Sequence, residues 1–222
     1  MGVQHSMACM ADDNSRILRV DVLPILGSGM VDSRANALMS SLPKPLAGQI
    51  AATRTSLGYS IRGDFSEEEA THAATNLFSD PIIETFTIDG SIGAGQLPDG
   101  SYSDLTVQVG FKPGVTDNRA MAAEDGLGTI FPNKSNKVAS TTSYHFWLHD
   151  GHFELDELVG QLHNPMLEEY SILDGQNRIG NLIRFPNLKR MDYVEPRIVN
   201  LDVDDVELER ISDEGLLALN LV

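Results

Sequence analysis

Apolar residues alternate with polar ones from Ile17 to Leu26, a period of two that predicts a strand ending at the Gly27-Ser28-Gly29 turn. From Val31 to Ser41 the spacing becomes helical, with Asp32 or Ser33 near the start and Pro43 barring continuation. Gln49 to Ile61, rich in Thr and β-branched residues, predicts a second strand. Ser66-Glu67-Glu68-Glu69 has the form of a capping box, and Ala70, Ala73, Ala74, Leu77 and Phe78 then share one helical face. Asp80-Pro81 stops that helix, because proline disfavours helical geometry in the residue before it. Ile82 to Ile88 predicts a third strand. The same order follows again: strand 104–112, helix 116–130, strand 138–149, helix 154–163 and strand 166–172.

The recurrence extends to individual residues. Leu18-Arg19-Val20-Asp21-Val22 answers to Leu105-Thr106-Val107-Gln108-Val109, and Gly29-Met30-Val31-Asp32 to Gly114-Val115-Thr116-Asp117. Thr55-Ser56-Leu57-Gly58-Tyr59 answers to Ser140-Thr141-Thr142-Ser143-Tyr144, and Asp80-Pro81-Ile82-Ile83-Glu84 to Asn164-Pro165-Met166-Leu167-Glu168. Units of roughly 70 residues set about 85 apart are too long for solenoid repeats of about 20–50 residues. The expected fold class is α+β: two tandem β-α-β-α-β modules forming a pseudo-dimer with antiparallel sheets, plus a short C-terminal linker segment. Three strands and two helices bury one sheet face alone, so two copies gain by extending the sheet or packing faces together. The expected domains are a disordered leader at 1–15, modules at 16–89 and 104–173, a Gly-rich connector at 90–103, and a linker segment at 174–222. Within that last segment a short strand is expected at 197–203 and a helix from Asp204-Asp205.

Charge narrows the function. Thirty-two acidic residues against sixteen basic ones give −16, a field that repels phosphodiester backbones and favours a basic partner. No run approaches the 18–20 apolar residues of a membrane span, and the first residues lack the features of a signal peptide. The single Cys9 cannot form an internal disulfide, so a cytoplasmic setting is expected.

Candidate chemistry is sparse. His145, His149, Asp150 and His152 form the one dense set of ligand-type side chains, and positions 145 and 149 share a strand face. A metal-binding module would use His145, His149 and His152; the plainer reading is a strand end with surface histidines. Phe111 to Asp117 places one glycine before a helix but has no Gly-Lys-Ser/Thr, so the expectation is a turn capped by Thr116 or Asp117 rather than a P-loop. Glu67-Glu68-Glu69 and Asp204-Asp205 lie at helix starts, where carboxylates complement the dipole. No Gly-x-Ser-x-Gly elbow occurs. No catalytic, cofactor-binding or metal residue is assigned. The candidate partner interface is Leu208, Ile211, Leu216, Leu217, Leu219 and Leu221, aliphatics crowded into the last residues.

Gly110-Phe111-Lys112-Pro113-Gly114-Val115-Thr116-Asp117 resembles the segment after the first strand in the small subunit of phosphoribosylformylglycinamidine synthase. Ala52 to Tyr59, Phe65 to Glu69 and Asn164 to Tyr170 resemble that family's second strand, acidic helix and last strand, and Val206 to Leu221 is similar to the linker helix opening its large subunit. In the first unit Leu23 to Gly27 replaces the lysine-containing turn. The resemblance covers nearly everything from Arg16 onward. It implies a non-catalytic element that bridges glutaminase and synthetase in an ATP- and glutamine-dependent ligase of purine biosynthesis. ATP and Mg would then be bound by the synthetase partner, and no cofactor by this chain. The rival expectation is a small-molecule sensor of paired α/β modules, which requires polar residues retained in both copies at the junction.

Overall fold

The computed structural model describes residues 17–27, 31–89, 95–149, 154–174, 185 and 200–213. It divides into two compact units, Met1–Asn187 and Leu188–Val222.

The first unit is α+β. Its strands are β1 (Ile17–Pro24), β2 (Ile50–Arg62), β3 (Glu84–Ile88), β4 (Leu105–Phe111), β5 (Lys137–Leu148) and β6 (Glu168–Asp174). Its helices are α1 (Ser33–Ser41), α2 (Lys44–Ala47), α3 (Glu67–Ala73), α4 (Asn118–Ile130) and α5 (Leu155–Leu162), with a π-helical turn at Ala74–Phe78 prolonging α3. The strands form one open sheet in the order β3-β1-β2-β5-β4-β6, with every neighbouring pair antiparallel. At its centre β2 and β5 pair over twelve registered positions, Ile50↔Leu148 through Arg62↔Lys137. Leu57 stands opposite Thr142, and these are corresponding residues of the two sequence repeats.

One sheet face is apolar and carries the helices. Leu18, Val20, Val22, Tyr59 and Ile61 bury against Ala70, Ala73, Ala74 and Phe78 of the α3 segment and against Ala120, Ala123 and Leu127 of α4. Leu105, Val107, Val109 and Phe146 bury against Leu42, Leu46 and the α5 residues Leu158, Val159 and Leu162, with Leu38 and Met39 of α1 alongside. Val138 of β5 joins the first core and Ile50 of β2 the second, so each core draws strand and helix residues from both repeats. Burying a large aliphatic side chain contributes about 1.5–3 kcal/mol, so each repeat draws much of its stability from its counterpart.

Local chemistry explains the element ends. Asp32 and Asp117 are the N-caps of α1 and α4, accepting from Ala35 N and Ala120 N at 2.9 Å. Ser66 and Glu69 form the full capping box of α3. Gly114 adopts φ +86°, the left-handed conformation that glycine accepts without strain, and Asp117 caps the turn as expected. A close approach fixes another glycine: a Cβ at Gly126 would lie 2.4 Å from Leu77 Cδ1, so α4 packs tightly on the π-helical turn.

The expected outer strands start two residues later than the pattern predicts. Asp80 Oδ1 accepts from Ile82 N at 2.9 Å and Glu84 Oε2 accepts from Asp80 N at 3.0 Å. Asn164 and Glu168 repeat both bonds, at 3.0 and 2.7 Å. These Asx turns take Ile82-Ile83 and Met166-Leu167 out of the strands. The short helix α2 was not expected after Pro43. It forms because Pro45 lies in its first turn, where a missing N–H costs nothing.

In the second unit α6 (Asp205–Asp213) begins where the sequence predicts, and Arg210 pairs with Glu207 at 2.6 Å. Residues 200–203 form no strand, whereas 197–199 of that expected strand lie outside the described residues. Positions 1–16 and 90–94, which carry the expected leader and the start of the connector, lie outside them too. No helix among the described residues is long and apolar enough to cross a membrane.

Candidate functional site

The helix-free face of the sheet is polar yet buried at its centre. Arg19 and Asp21 alternate with the apolar residues of β1, and both are nearly inaccessible. Arg19 Nε donates to Asp21 Oδ1 and Oδ2 at 3.1 and 3.0 Å, and Nη2 donates to Asp21 Oδ1 at 2.7 Å. The same guanidinium crosses β2 to reach Thr141 Oγ1 on β5 at 2.9 Å. It can cross because position 58 is glycine: a Cβ there would lie 1.9 Å from Arg19 Nη2.

Beyond the β2–β5 seam the layer is built from His145, hydroxyls and an amide. His145, 3% exposed, bonds Ser56 Oγ through Nε2 at 3.0 Å and Thr106 Oγ1 through Nδ1 at 2.9 Å. Thr106 continues to Ser103 at 3.2 Å, and Gln108 donates to Ser143 at 3.4 Å. By the repeat alignment, Thr106, Gln108, Ser143 and His145 occupy the positions of Arg19, Asp21, Gly58 and Ser60. The large group comes from β1 in one half and from β5 in the other. A serine beside a histidine invites a nucleophilic reading, but Ser56 is fully buried, so no substrate carbonyl reaches its Oγ. His145 Nδ1 meets the Thr106 hydroxyl. This arrangement joins strands.

The expected surface histidine cluster is corrected at His145, which is buried and hydrogen-bonded to the Ser56 and Thr106 hydroxyls. His149 is exposed just beyond β5; Asp150 and His152 lie outside the described residues. Among the described residues no group of three His, Cys, Asp or Glu is placed to hold a metal ion. Leu208 and Ile211 lie three residues apart on α6, while Leu216, Leu217, Leu219 and Leu221 lie outside the described residues.

On the helical face, Asp32 and Asp117 hold strands as well as helices. Asp32 accepts from Thr55 N at 2.6 Å, and Asp117 from Ser140 N at 2.8 Å. Each serves an N–H of a long strand just past the residues paired by the shorter neighbour, which ends at Leu57 on β2 and Thr141 on β5. Tyr59 and Tyr144 stand close to the seam. Burial raises both phenols above their ordinary value, and Arg119 and Arg34 pull the other way. A cleft of about 430 Å³ borders Val31, Ser33, Arg34 and Glu84. The corresponding cleft in the second half, at Arg119, Tyr144 and Glu168, holds about 60 Å³.

Neither the family models, the curated proteins nor the solved structures compared with this chain give a match. The buried polar layer was not anticipated from sequence. Its signal was present in Arg19 and Asp21 within an otherwise apolar strand, and in Gly58 inside a strand pattern.

Proposed function

We propose that this chain is a non-catalytic assembly and bridging element of phosphoribosylformylglycinamidine synthase, coupling the glutaminase and synthetase parts. Its two repeats act as small-subunit-like modules joined as a covalent pseudo-dimer. One observation carries the reading: the strand order β3-β1-β2-β5-β4-β6, with corresponding residues Leu57 and Thr142 directly opposite at the centre. A two-fold relation between modules requires such a position, and edge-to-edge strand pairing with cores shared across the seam is consistent with an isologous association of two like modules. The resemblance of the repeats, and of the segment beginning at Val206, to that enzyme's small subunit and linker supplies the partner.

In this role the chain binds no cofactor of its own. ATP and Mg belong to the synthetase, and the setting is cytoplasmic. The proposed partner surface includes the half-buried Leu208 on α6 together with Leu216, Leu217, Leu219 and Leu221, whereas Ile211 is buried. Pull-down with the synthetase subunit tests it. The intact chain should recover the complex, and deletion of 204–222 should lose it. Failure of the intact chain to associate with either the synthetase or the glutaminase contradicts the proposal.

A further inference from the structure

Among the described residues Arg54 is a cation without an anion at ion-pair distance. It projects from β2 onto the polar face and is only 8% exposed. Its guanidinium donates to the carbonyl oxygens of Gln96 and, at 2.9 Å, Pro24. Nε is buried with no hydrogen-bond partner. Among the described residues no carboxylate lies within ion-pair distance, in contrast to Arg19 with Asp21 at 2.7 Å. Neutral carbonyls satisfy two N–H groups but leave the charge uncompensated, and a buried charge is costly unless it is paired. Burial accordingly lowers the Arg54 pKa, and the field of Asp32 offsets part of that.

The guanidinium borders an open cleft of about 530 Å³ where the end of β1, edge strand β3 and the segment before β4 meet. Ile25, Leu26, Leu97 and Pro98 give it apolar walls, Thr85 adds one hydroxyl, and among the described residues its lining holds no acidic side chain. In a chain of net charge −16 that is an unusual surface. The scaffold does not demand the cation either, since the corresponding residue of the second repeat is Ala139.

We infer that this cleft is a small-molecule site for a monocarboxylate with an apolar body, its carboxylate held by Arg54 and its body lying on Leu26, Leu97 and Pro98. A planar fork of donors suits a planar carboxylate. One cation balances one negative charge, so a phosphate dianion would retain an unpaired charge beside apolar walls. This site is separate from the assembly surface and stands or falls independently of it.

Calorimetric titration of the full chain with 4-methylpentanoate, inorganic phosphate and 4-methylpentanol provides the test. The carboxylate should bind saturably, with a dissociation constant of about 1 mM or tighter, and at least tenfold more tightly than the alcohol or phosphate. Arg54→Gln should abolish that preference. Because that variant also loses the bonds to Gln96 and Pro24, Thr85→Asp serves as an independent check. A carboxylate supplied from the cleft wall should raise the melting temperature and block the ligand. No saturable carboxylate binding, equal binding of the alcohol, equal or tighter binding of phosphate, or a melting temperature that is unchanged or falls in Thr85→Asp would each overturn the inference.

Discussion

Arg19 can join β1 to β5 only because β2 offers no side chain at position 58. Gly58→Ala should therefore destabilise the fold by about 1–3 kcal/mol through forced displacement of the guanidinium, measured as a lower denaturation midpoint at unchanged slope. Asp21→Ala removes the partner of a buried cation and should cost more, about 3–5 kcal/mol. Tyr59 and Tyr144 add a pH dependence. Burial, the main cause, raises their folded pKa above the ordinary 10.0. Their contribution is thus complete below that value and is lost as pH rises through the folded values. The double variant Tyr59→Phe/Tyr144→Phe should flatten the alkaline fall in melting temperature. Sequence alone announced the Ser66 cap and narrowed the others to Asp32 or Ser33 and to Thr116 or Asp117, because a cap is a local bond within three residues. It did not announce that Arg19, Asp21 and His145 are buried. A period of two separates the faces of a strand but does not say whether the polar face meets water or a further layer.

At the scale of elements, the two Asx turns built from Asp80/Glu84 and Asn164/Glu168 make the same pair of hydrogen bonds and expose the same pair of positions. Ile82 is 73% and Met166 83% exposed. Runs such as Pro-Ile-Ile-Glu and Pro-Met-Leu-Glu look like strand starts by composition, whereas the turn geometry delays β3 and β6 by two residues each. The N-cap aspartates do more than cap. Asp32→Ala removes one bond to α1 and others to Thr55, and Asp117→Ala does likewise at Ser140. Each should cost about 2 kcal/mol or more, exceeding the roughly 1 kcal/mol of an ordinary cap. Chemical denaturation of these variants beside Ser66→Ala, whose cap bonds are exposed, gives that ranking directly.

At the scale of the molecule, both cores mix the repeats: α4 lies over β1 and β2, and α1 lies beside the β4–β5 core. The first unit should therefore unfold in one transition, with tryptophan fluorescence at Trp147 and far-ultraviolet circular dichroism giving coincident curves. The element order and the duplication were legible because both rest on local periodicity. The sharing of each core between the repeats was not, since nothing local to α1 or α4 names the residues of the other repeat that it will meet. The proposed function rests on this whole-molecule arrangement together with the family resemblance, and one comparison tests it most directly. Amidine formation by the synthetase and glutaminase should be measured with and without this chain, using glutamine or free ammonia as nitrogen donor. The account predicts that the chain forms a stable complex and is required with glutamine but not with ammonia. Equal glutamine-dependent rates with and without the chain, and no complex, would contradict it.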